Sequence, residues 1–435
     1  MTPRRTLAEW LAWIEAQHPQ AIALGLDRVR AVAARMALGR PARQVVVVAG
    51  TNGKGSTVAF IEAIARAAGL RTGAYTSPHL LAYNERVRVD GADVGDDALV
   101  EAFEAVEVAR ARTDGPVALT YFEYGTLAAL HLFEQASLDL VVLEVGLGGR
   151  LDAVNIVDAD VAVVTTVDLD HQAWLGTDRE AIGFEKAGIA RAWRPLVLGE
   201  DDPPASVLRH AYAIGAAAVR AGSDFLVEPV DDGRWRWREP GCVLELPRPA
   251  LAGQVQLRNA ATAIAALRAL DVAIDDSAWA RGVAAARVPG RLQREDIRGV
   301  EVRVDVGHNP QAAAALADWL RGSGGRTLAV YGALADKDAA AVVAALAPVL
   351  DGWHLAGLAD AEPRGEDVDA LAGRLQGTAA ADGVRHPDVA TALAAAVARA
   401  QPGERVLAFG SFHVAAAALR WLRAHGSEAD AGRGV

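Results

Sequence analysis

The chain has 435 residues, 52% of them hydrophobic, so it is long enough for two or three folded domains and is not composed like a disordered protein. A formal net charge of −11 argues against nonspecific binding to nucleic acid or to an anionic membrane, although anionic small molecules stay open as substrates. The single cysteine, Cys242, excludes an internal disulfide and a zinc site built on cysteines.

The first residues predict a helix and no export signal. Thr6 and Glu9 have the spacing of a capping box, which typically opens an amphipathic helix. The segment before them lacks the apolar stretch of a signal peptide, and no apolar run reaches the roughly 18 residues of a membrane span. We therefore expect a cytoplasmic protein without a membrane partner, and a monomer.

The region around residue 50 predicts a phosphate-binding loop. Val45–Ala49 is uninterrupted apolar sequence, typical of a buried parallel strand, and a helix is expected to begin near Lys54. Glycines between them would let backbone N–H groups approach phosphate oxygens. The loop departs from the standard pattern, since Val48 replaces the first glycine and Gly55 separates Lys54 from Ser56. The alternative is an ordinary glycine-rich turn.

Lysine is unusually rare in this chain. Only three of the 44 basic residues are lysines, namely Lys54, Lys186 and Lys337. A lysine supplies a compact point charge, or an amine that can be neutral, and arginine supplies neither. Each lysine is therefore a candidate for specific chemistry, although an arginine-rich composition could also leave three lysines by chance.

Short apolar runs beyond the loop predict a doubly wound α/β domain. Strands are expected at 139–145 and 161–167, with helical patterns between them. The stretch 220–251 alternates in polarity and predicts a small β-rich excursion. Helices are expected over 259–270 and 277–286.

A proline and a glycine in Val288–Arg291 predict a break between two domains. Beyond them a second α/β pattern predicts a smaller Rossmann-like domain. We expect the first domain to comprise 1–288 and the second 289–435, with a loose tail from Ser427. The strands predicted for the second domain are 300–306, 326–331, 353–356 and 406–409.

Polar residues follow several of the predicted strands. Glu144 lies at the carboxyl end of a strand expected beside the loop strand, where open α/β sheets bind ligands. His171 and His308 also come just after apolar runs. Because Mg²⁺ prefers oxygen ligands, each histidine, taken on its own, is more often a structural hydrogen-bonding residue than a metal ligand.

A series of short motifs occurs in order along nearly the whole chain: 50–56, 75–80, 120–123, 144–152, 170–171, 185–189, 289–291, 305–310, 336–338 and 410–413. Together they resemble the folylpolyglutamate synthase/dihydrofolate synthase family, which is related to the Mur-type ATP-dependent amide ligases. Thr120–Glu123 and Gly410–His413 most resemble the bifunctional bacterial members. Two segments depart from the family pattern: Val154 stands where threonine is usual, and 252–257 matches only loosely.

The resemblance implies ATP, two Mg²⁺ sites and a monovalent cation such as K⁺. Ser56 and Glu144 would hold one Mg²⁺, and Glu144, His171 and a carbamate of Lys186 would hold the other. Carbon dioxide attacks a neutral amine and turns it into an anionic oxygen ligand, which arginine could not provide. The alternative for Lys186 is a salt bridge to Glu185 or another acid. The residues implied at the nucleotide are Asn52, Gly53, Lys54, Gly55, Ser56, Thr57, Asn259, Arg291 and Asp305.

The resemblance also implies dihydropteroate, reduced folates and L-glutamate as substrates. Phe122 would stack on the pterin and Asp152 would hydrogen-bond to it, while His308 and Ser411 would lie near the glutamate. A mobile loop over 77–89 would shape the folate and glutamate sites. That loop contributes Ser77 and Arg86. The implied catalytic residues are Lys54, Glu144, His171, Lys186 and His308.

The implied reaction is an ATP-dependent ligation through an acyl phosphate. The carboxylate of dihydropteroate would attack the γ-phosphate of ATP, and the amine of glutamate would then attack the activated carbonyl. The same site would extend reduced folates. Two alternatives stay open: a Mur-like ligase acting on a cell-wall precursor, which would not explain 75–80 or 120–123, and a P-loop switch that hydrolyses nucleotide without ligation.

Overall fold

A computed structural model describes residues 5–18, 22–112, 115–230, 233–270, 272–361 and 364–431. The chain divides into two compact units, one of 1–250 with 256–287 and the other of 251–255 with 288–435. Both units are α/β, and the second is smaller. This confirms the predicted fold class.

The first unit is built on an eight-stranded sheet in the order β4-β3-β2-β5-β1-β6-β7-β8, in which β3 pairs antiparallel with both β2 and β4 and all other pairings are parallel. All three strands predicted here are present. The third is shorter than predicted, because residues 165–167 leave the sheet after Val164. The strands are β1 (Ala42–Ala49), β2 (Thr72–Tyr75), β3 (Val87–Val89), β4 (Ala92–Asp93), β5 (Leu138–Glu144), β6 (Val161–Val164), β7 (Pro195–Leu198) and β8 (Ala217–Arg220).

Helices cover this sheet. Thr6 and Glu9 form the predicted capping box. The two helices predicted over 259–270 and 277–286 are present, although the first begins earlier, at Gln254. The helices are α1 (Leu7–Glu15), α2 (Asp27–Arg35), α3 (Lys54–Ala67), α4 (Asp96–Arg110), α5 (Tyr121–Gln135), α6 (Gln172–Leu175), α7 (Arg179–Ala187), α8 (Ala205–Ile214), α9 (Gln254–Arg268) and α10 (Asp276–Ala285).

The predicted β-rich excursion is a separate antiparallel sheet of β9 (Leu226–Pro229), β10 (Arg234–Glu239) and β11 (Cys242–Pro247). Its two tryptophans are buried and their ring nitrogens are satisfied. Trp235 donates to the Pro247 carbonyl at 2.9 Å, and Trp237 donates to the Ala261 carbonyl on α9 at 3.1 Å. The first bond lies within the small sheet, and the second attaches the small sheet to α9.

The second unit holds a six-stranded sheet in the order β12-β13-β17-β14-β15-β16, parallel except for β12. Its predicted strands are all present. The last helix runs to Ala431, so the expectation of a loose tail is wrong for 427–431, and 432–435 lie outside the described residues. The elements are β12 (Gln293–Ile297), β13 (Val300–Val304), α11 (Pro310–Ser323), β14 (Thr327–Tyr331), α12 (Ala339–Leu346), β15 (Gly352–Ala356), α13 (Val368–Arg374), β16 (Val384–His386), α14 (Val389–Arg399), β17 (Arg405–Phe409) and α15 (Phe412–Ala431).

Helix α10 ends at Ala285, before the predicted break at 288–291, whose role as a hinge stays a prediction. Within the described ranges, none of the helices combines the length and apolar character needed to cross a membrane.

Helices α3 and α10 pack so closely that one position admits only glycine. A Cβ atom on Gly282 of α10 would lie 2.3 Å from the Ile64 Cα on α3. Backbone cannot yield as a flexible side chain does, so the two helices would have to move apart.

We therefore expect Gly282→Ala to lower the free energy of unfolding by about 1–3 kcal/mol, the usual cost of overpacking. Gly322→Ala is the matched control, because Gly322 is also helical but faces open space. That change should raise stability by up to about 1 kcal/mol, since alanine is the better helix former. Urea denaturation of both variants tests the pair. Equal stability of Gly282→Ala and the unchanged protein would contradict the packing argument.

Candidate active site

The sequence predicts the phosphate-binding loop at residues 50–56. In the structure, residues 50–53 join β1 to α3, and residues 54–56 form the first turn of that helix. Gly50 and Gly53 both have positive φ, at 151° and 89°. A Cβ atom would lie 1.8 Å from the Thr165 Oγ1 at Gly50, and 2.5 Å from the Asn259 Oδ1 at Gly53. Conformation and space therefore both require glycine. The second contact also places Asn259, a predicted nucleotide residue, directly against the loop.

A second loop holds the first in place. We call residues 165–171, which follow β6, the strap. The Thr165 hydroxyl donates to the Asn52 carbonyl at 2.7 Å, and the Asn52 N–H donates to the Thr166 hydroxyl at 3.2 Å. The Thr51 N–H donates to the Thr166 carbonyl at 2.7 Å. The Thr51 hydroxyl donates to the Asp168 carbonyl and accepts from the Asp168 N–H. The conformation of the phosphate-binding loop therefore depends on the strap.

Lys54 and Ser56 lie where the loop meets α3. The Lys54 ammonium donates to the carbonyls of Gly50 and Thr51, at 2.9 and 3.3 Å, and so lies over its own loop. The Ser56 hydroxyl is buried without a hydrogen-bond partner among the described residues, and so is that of Thr57. A buried orphan hydroxyl is uncommon in a folded protein. That of Ser56 fits an oxygen ligand to a metal ion.

Glu144 ends β5, the strand beside β1, as predicted. Its register partner is Val48, and its buried carboxylate accepts a hydrogen bond from the Ser77 N–H at 3.2 Å. The two carboxylate oxygens lie 3.6 and 3.7 Å from the position that a Cβ on Gly55 would occupy. The structure thus brings an acidic oxygen ligand to the residue next to Ser56.

His171 lies at the end of the strap, before the short helix α6. Its backbone is left-handed, with φ 51° and ψ 38°. Its Nε2 lies 4.0 Å from an oxygen of Asp170. A non-glycine residue in this conformation costs about 1–3 kcal/mol and often marks a functional position. This geometry is compatible with a ligand role for His171, which stays a prediction.

Lys186 is buried in the last turn of α7. Burial, assisted by repulsion from the Lys54 charge, lowers the pKa of its amine to about 7. The alternative of a salt bridge to Glu185 is wrong, because Glu185 pairs with Arg150 at 2.9 Å. Across the described part of the chain, no carboxylate forms an ion pair with Lys186. A large fraction of this amine is therefore neutral near pH 7.

The predicted metal ligands do not form a conventional cluster. No group of three or more His, Cys, Asp or Glu residues suited to a metal occurs in the described ranges. The predicted set contains only Glu144 and His171 of these types, completed by the Ser56 hydroxyl and a modified Lys186. The donor set fits Mg²⁺ where phosphate oxygens supply the remaining ligands.

Phe122 stands in the first turn of α5, with its ring half-buried. Its centroid lies 5.8 Å from that of Tyr75, and its Cζ would be 2.7 Å from a Cβ placed on Gly146. Glycine at 146 thus leaves room for the Phe122 ring.

Asp152 is buried, and each of its oxygens accepts a backbone N–H. Leu147 donates at 2.8 Å and Val154 at 3.1 Å, so the side chain caps the short 3₁₀ helix Ala153–Ile156. Burial raises the pKa of this carboxyl to about 7. Asp152 therefore has a structural role whatever it binds.

Arg86 is buried within the predicted substrate loop. It donates to the His79 Nδ1 at 2.9 Å and lies over the rings of Tyr83 and Tyr121, at 5.2 and 5.5 Å. The neighbouring Glu85 carboxylate accepts the N–H groups of Leu80, Leu81 and Ala82. These bonds tie the loop down in this structure, and its mobility stays a prediction.

The remaining predicted residues lie in the second unit, around the carboxyl ends of β13 and β17. Asp305 is buried and accepts the N–H groups of Leu292 and Gly307, and its burial raises the pKa of the carboxyl. His308 Nδ1 bonds to the Val306 carbonyl at 3.0 Å. Arg291 lies over the Phe412 ring, and the Ser411 hydroxyl accepts the Val414 N–H at 3.1 Å.

The predicted residues thus fall into two groups, one in each unit. Sequence reasoning missed the strap threonines, Thr165 and Thr166. A usable signal was present, because both directly follow the apolar run of β6, at the sheet edge where ligands bind.

Comparison with protein families matches two models to the chain. The Mur ligase middle domain matches residues 48–267, and the Mur ligase glutamate ligase domain matches residues 290–412.

Comparison with curated proteins finds close relatives. The dihydrofolate synthase/folylpolyglutamate synthase of Escherichia coli K12 is 46% identical over 424 residues, which cover 97% of this chain and 96% of the relative. The Haemophilus influenzae protein of the same name is 42% identical over 435 residues, covering 94% and 96%.

Solved structures give the same result. The E. coli FolC complex with DHPP and ADP superposes with a TM-score of 0.91 at 46% identity, covering 97% of this chain and 99% of that one. A bifunctional folylpolyglutamate synthase/dihydrofolate synthase with Mn, AMPPNP and L-glutamate bound has a TM-score of 0.89 at 43% identity, covering 97% and 100%.

Proposed function

This chain belongs to the Mur ligase family and, within it, to the dihydrofolate synthase/folylpolyglutamate synthases, and we propose that its ligation chemistry is carried out by the residues of the candidate active site. It is an ATP-dependent, ADP-forming ligase that joins L-glutamate to dihydropteroate and to reduced folates. The alternatives of a cell-wall ligase and of a nucleotide switch lose their support. One observation carries the residue assignment: the Ser56 hydroxyl is buried and has no hydrogen-bond partner among the described residues. The Glu144 carboxylate lies beside Gly55, the residue that precedes Ser56.

In the first step, the carboxylate of the acceptor attacks the γ-phosphorus of ATP. The bond to the β–γ bridging oxygen breaks, ADP leaves and an acyl phosphate forms. Loop N–H groups and the Lys54 ammonium stabilise the phosphate charge from fixed positions, which is the main way a protein assists phosphoryl transfer. Asn52, Gly53, Gly55, Thr57 and Asn259 complete the nucleotide contacts of the first unit.

In the second step, the neutral α-amine of glutamate attacks the acyl carbonyl, and phosphate leaves as the amide forms. The amine nitrogen must lose one proton as the amide forms. In the neutral His308 ring, the bond from Nδ1 to the Val306 carbonyl puts the proton on Nδ1 and the lone pair on Nε2. His308 Nε2 is therefore suited to accept that proton, with Ser411 beside the glutamate and with Arg291 and Asp305 at the nucleotide.

The metal assignment is the one that the family resemblance implies, and the same geometry supports it. We assign Ser56 and Glu144 to one Mg²⁺ site, and Glu144, His171 and carbamylated Lys186 to the other. When bound, Mg²⁺ neutralises phosphate charge during transfer. A buried amine that has a pKa of about 7 and forms no ion pair with a carboxylate in the described chain is well suited to react with carbon dioxide.

The acceptor site lies around Phe122 and Asp152, with Ser77 and Arg86 in the loop beside them. A flat ring with polar edges suits a stacking aromatic next to a buried carboxyl. We further propose that a monovalent cation such as K⁺ binds at the site. We also propose that the protein is a monomer, which analytical ultracentrifugation would test, and that it is cytoplasmic, which cell fractionation would test.

Lys54→Ala should lower kcat/KM by about 100-fold or more, because one fixed charge on the phosphates is lost. The fold should survive, since Lys54 is only half-buried and its loss creates no core cavity. Lys54→Arg should also fail, because the guanidinium fork is larger than the ammonium. Glutamate-dependent ADP release measures activity, and thermal melting checks the fold. Near-normal turnover of Lys54→Ala at saturating ATP would show that Lys54 does not hold the phosphates.

Lys186→Arg should lose most activity, because a guanidinium cannot form a carbamate. In solutions containing ¹³C-bicarbonate, the unchanged enzyme should show a carbamate carbon signal that disappears in Lys186→Arg. Lys337→Arg is the control for the signal and should retain it. A fully active Lys186→Arg enzyme, or a carbamate signal that survives that change, would exclude Lys186 as a metal ligand.

Asp152→Ala should lower kcat/KM for dihydropteroate by at least about tenfold, because a pocket that pairs buried polar groups discriminates strongly. Binding of MgADP should change by no more than about twofold. Asp158→Ala is the control, because it removes an exposed carboxylate that pairs with Arg191. Equal losses in dihydropteroate use and in nucleotide binding would point to general unfolding around Asp152.

The unchanged enzyme should ligate glutamate to dihydropteroate and also to a tetrahydrofolate. Glutamate-dependent ADP release, measured in parallel with each acceptor, tests both activities. If only the folate acceptor reacts under matched conditions, our assignment of Phe122 and Asp152 to dihydropteroate recognition is too strong.

A further inference from the structure

One ion pair away from the reacting groups binds both backbone polar groups of a single strap residue, Val167. The Val167 N–H donates to the Glu200 Oε1 at 2.9 Å. The Val167 carbonyl accepts from the Arg179 Nε, also at 2.9 Å. Arg179 and Glu200 are themselves joined at 3.1 Å. We call Val167, Arg179 and Glu200 the clamp.

The clamp joins three elements that carry parts of the site. Val167 lies between Thr166 and Asp168, which both bond to the phosphate-binding loop, and the same strap ends at His171. Arg179 is the first residue of α7, the helix that bears Lys186 at its other end. Glu200 follows β7, and Arg179 also donates to the Asp202 carbonyl of that segment at 3.1 Å.

Close packing at Gly199 supports the same connection independently. A Cβ atom there would lie 2.8 Å from the Thr165 carbonyl oxygen and 2.7 Å from the Thr262 Oγ1. The segment after β7 therefore touches the backbone of the strap as well as bonding to it. A shift of this segment would therefore displace the strap, because the Thr165 backbone cannot rotate away from the contact as a flexible side chain could.

The clamp is also sheltered from solvent on its acidic side. Glu200 is 9% exposed, and its two oxygens are divided between the Val167 N–H and Arg179. Removing the carboxylate would leave a buried backbone N–H without an acceptor. The strap would then lose the contact that fixes its middle residue, and with it the alignment of Thr166 against Asn52.

We propose that Glu200 and Arg179 are positioning residues that hold the strap, and through it the phosphate-binding loop, His171 and Lys186, in their working arrangement. The inference rests on the proposed function for its connection to catalysis, because neither residue is assigned to substrate or nucleotide. The link from the clamp to the phosphate-binding loop, however, predicts an effect on nucleotide affinity that needs no acceptor substrate.

The test is the dissociation constant of MgADP, measured by calorimetry on the full chain. Glu200→Ala should raise it by about tenfold or more, and Arg179→Ala should act in the same direction. Glu200→Gln keeps an oxygen for the Val167 N–H, so most of the affinity should be recovered. Gly199→Ala leaves the ion pair in place but displaces the strap, and should weaken binding in the same way.

Glu107→Ala is the matched control. It removes a sheltered carboxylate of the first unit that bonds to Arg110 and to the Tyr124 hydroxyl, with no contact to the strap. We expect a lower melting temperature in this variant with unchanged MgADP affinity. The ligation assay of the unchanged enzyme separately tests the proposed function.

Wild-type MgADP affinity in Glu200→Ala would overturn the proposal, and so would an equal loss of affinity in Glu107→Ala. If Glu200→Ala does not fold, the decision falls to Glu200→Gln, Arg179→Ala and Gly199→Ala. Unchanged affinity in both Arg179→Ala and Gly199→Ala would then refute the clamp, whatever the ligation assay shows.

Discussion

Parallel pairing of β1 with β5 on one side and β6 on the other is the constraint on which the site depends. The register sets Val48 opposite Glu144 and Ala49 opposite Val164, so three strands end at one edge of the sheet. The phosphate-binding loop, the Glu144 carboxylate and the strap follow from those three ends. Because the strands are buried valine-rich sequence, a slip in register would place charged or hydroxyl side chains in the core.

Three buried titratable groups near this edge of the sheet lower the stability of the folded state. Asp152 and Glu200 have pKa values raised by burial to about 7, and Lys186 has one lowered to about 7. For a carboxyl with a raised pKa, the protonated form is favoured in the folded state, so stability is lost as pH rises from the unfolded value through the folded one. For the lowered lysine, the neutral form is favoured, so stability is lost as pH falls from about 10.5 towards 7. Groups kept at such a cost are typical of functional sites.

The sequence was sufficient for local structure and for the residues that end strands. The valine run before Gly50, the apolar run before Glu144 and the alternating segment around Trp235 all predicted their elements, because periodicity and burial determine them directly. The strap was not predicted, and 165–167 were assigned to a strand. The Thr165 hydroxyl donates to Asn52, and the Asn52 N–H donates to Thr166. These bonds join positions more than 100 residues apart, so no local sequence pattern predicts them.

Asp152 shows why a residue's role cannot be taken from its motif alone. The resemblance assigned it to the pterin, yet both of its oxygens already accept backbone N–H groups, from Leu147 and Val154. Each carboxylate oxygen has two lone pairs, so these bonds leave acceptor capacity for a ligand. The capping role would support the proposed recognition role, because the backbone bonds fix the carboxyl in place before a substrate arrives. A pre-positioned group loses little conformational freedom on binding, which makes a buried capping residue a good recognition residue.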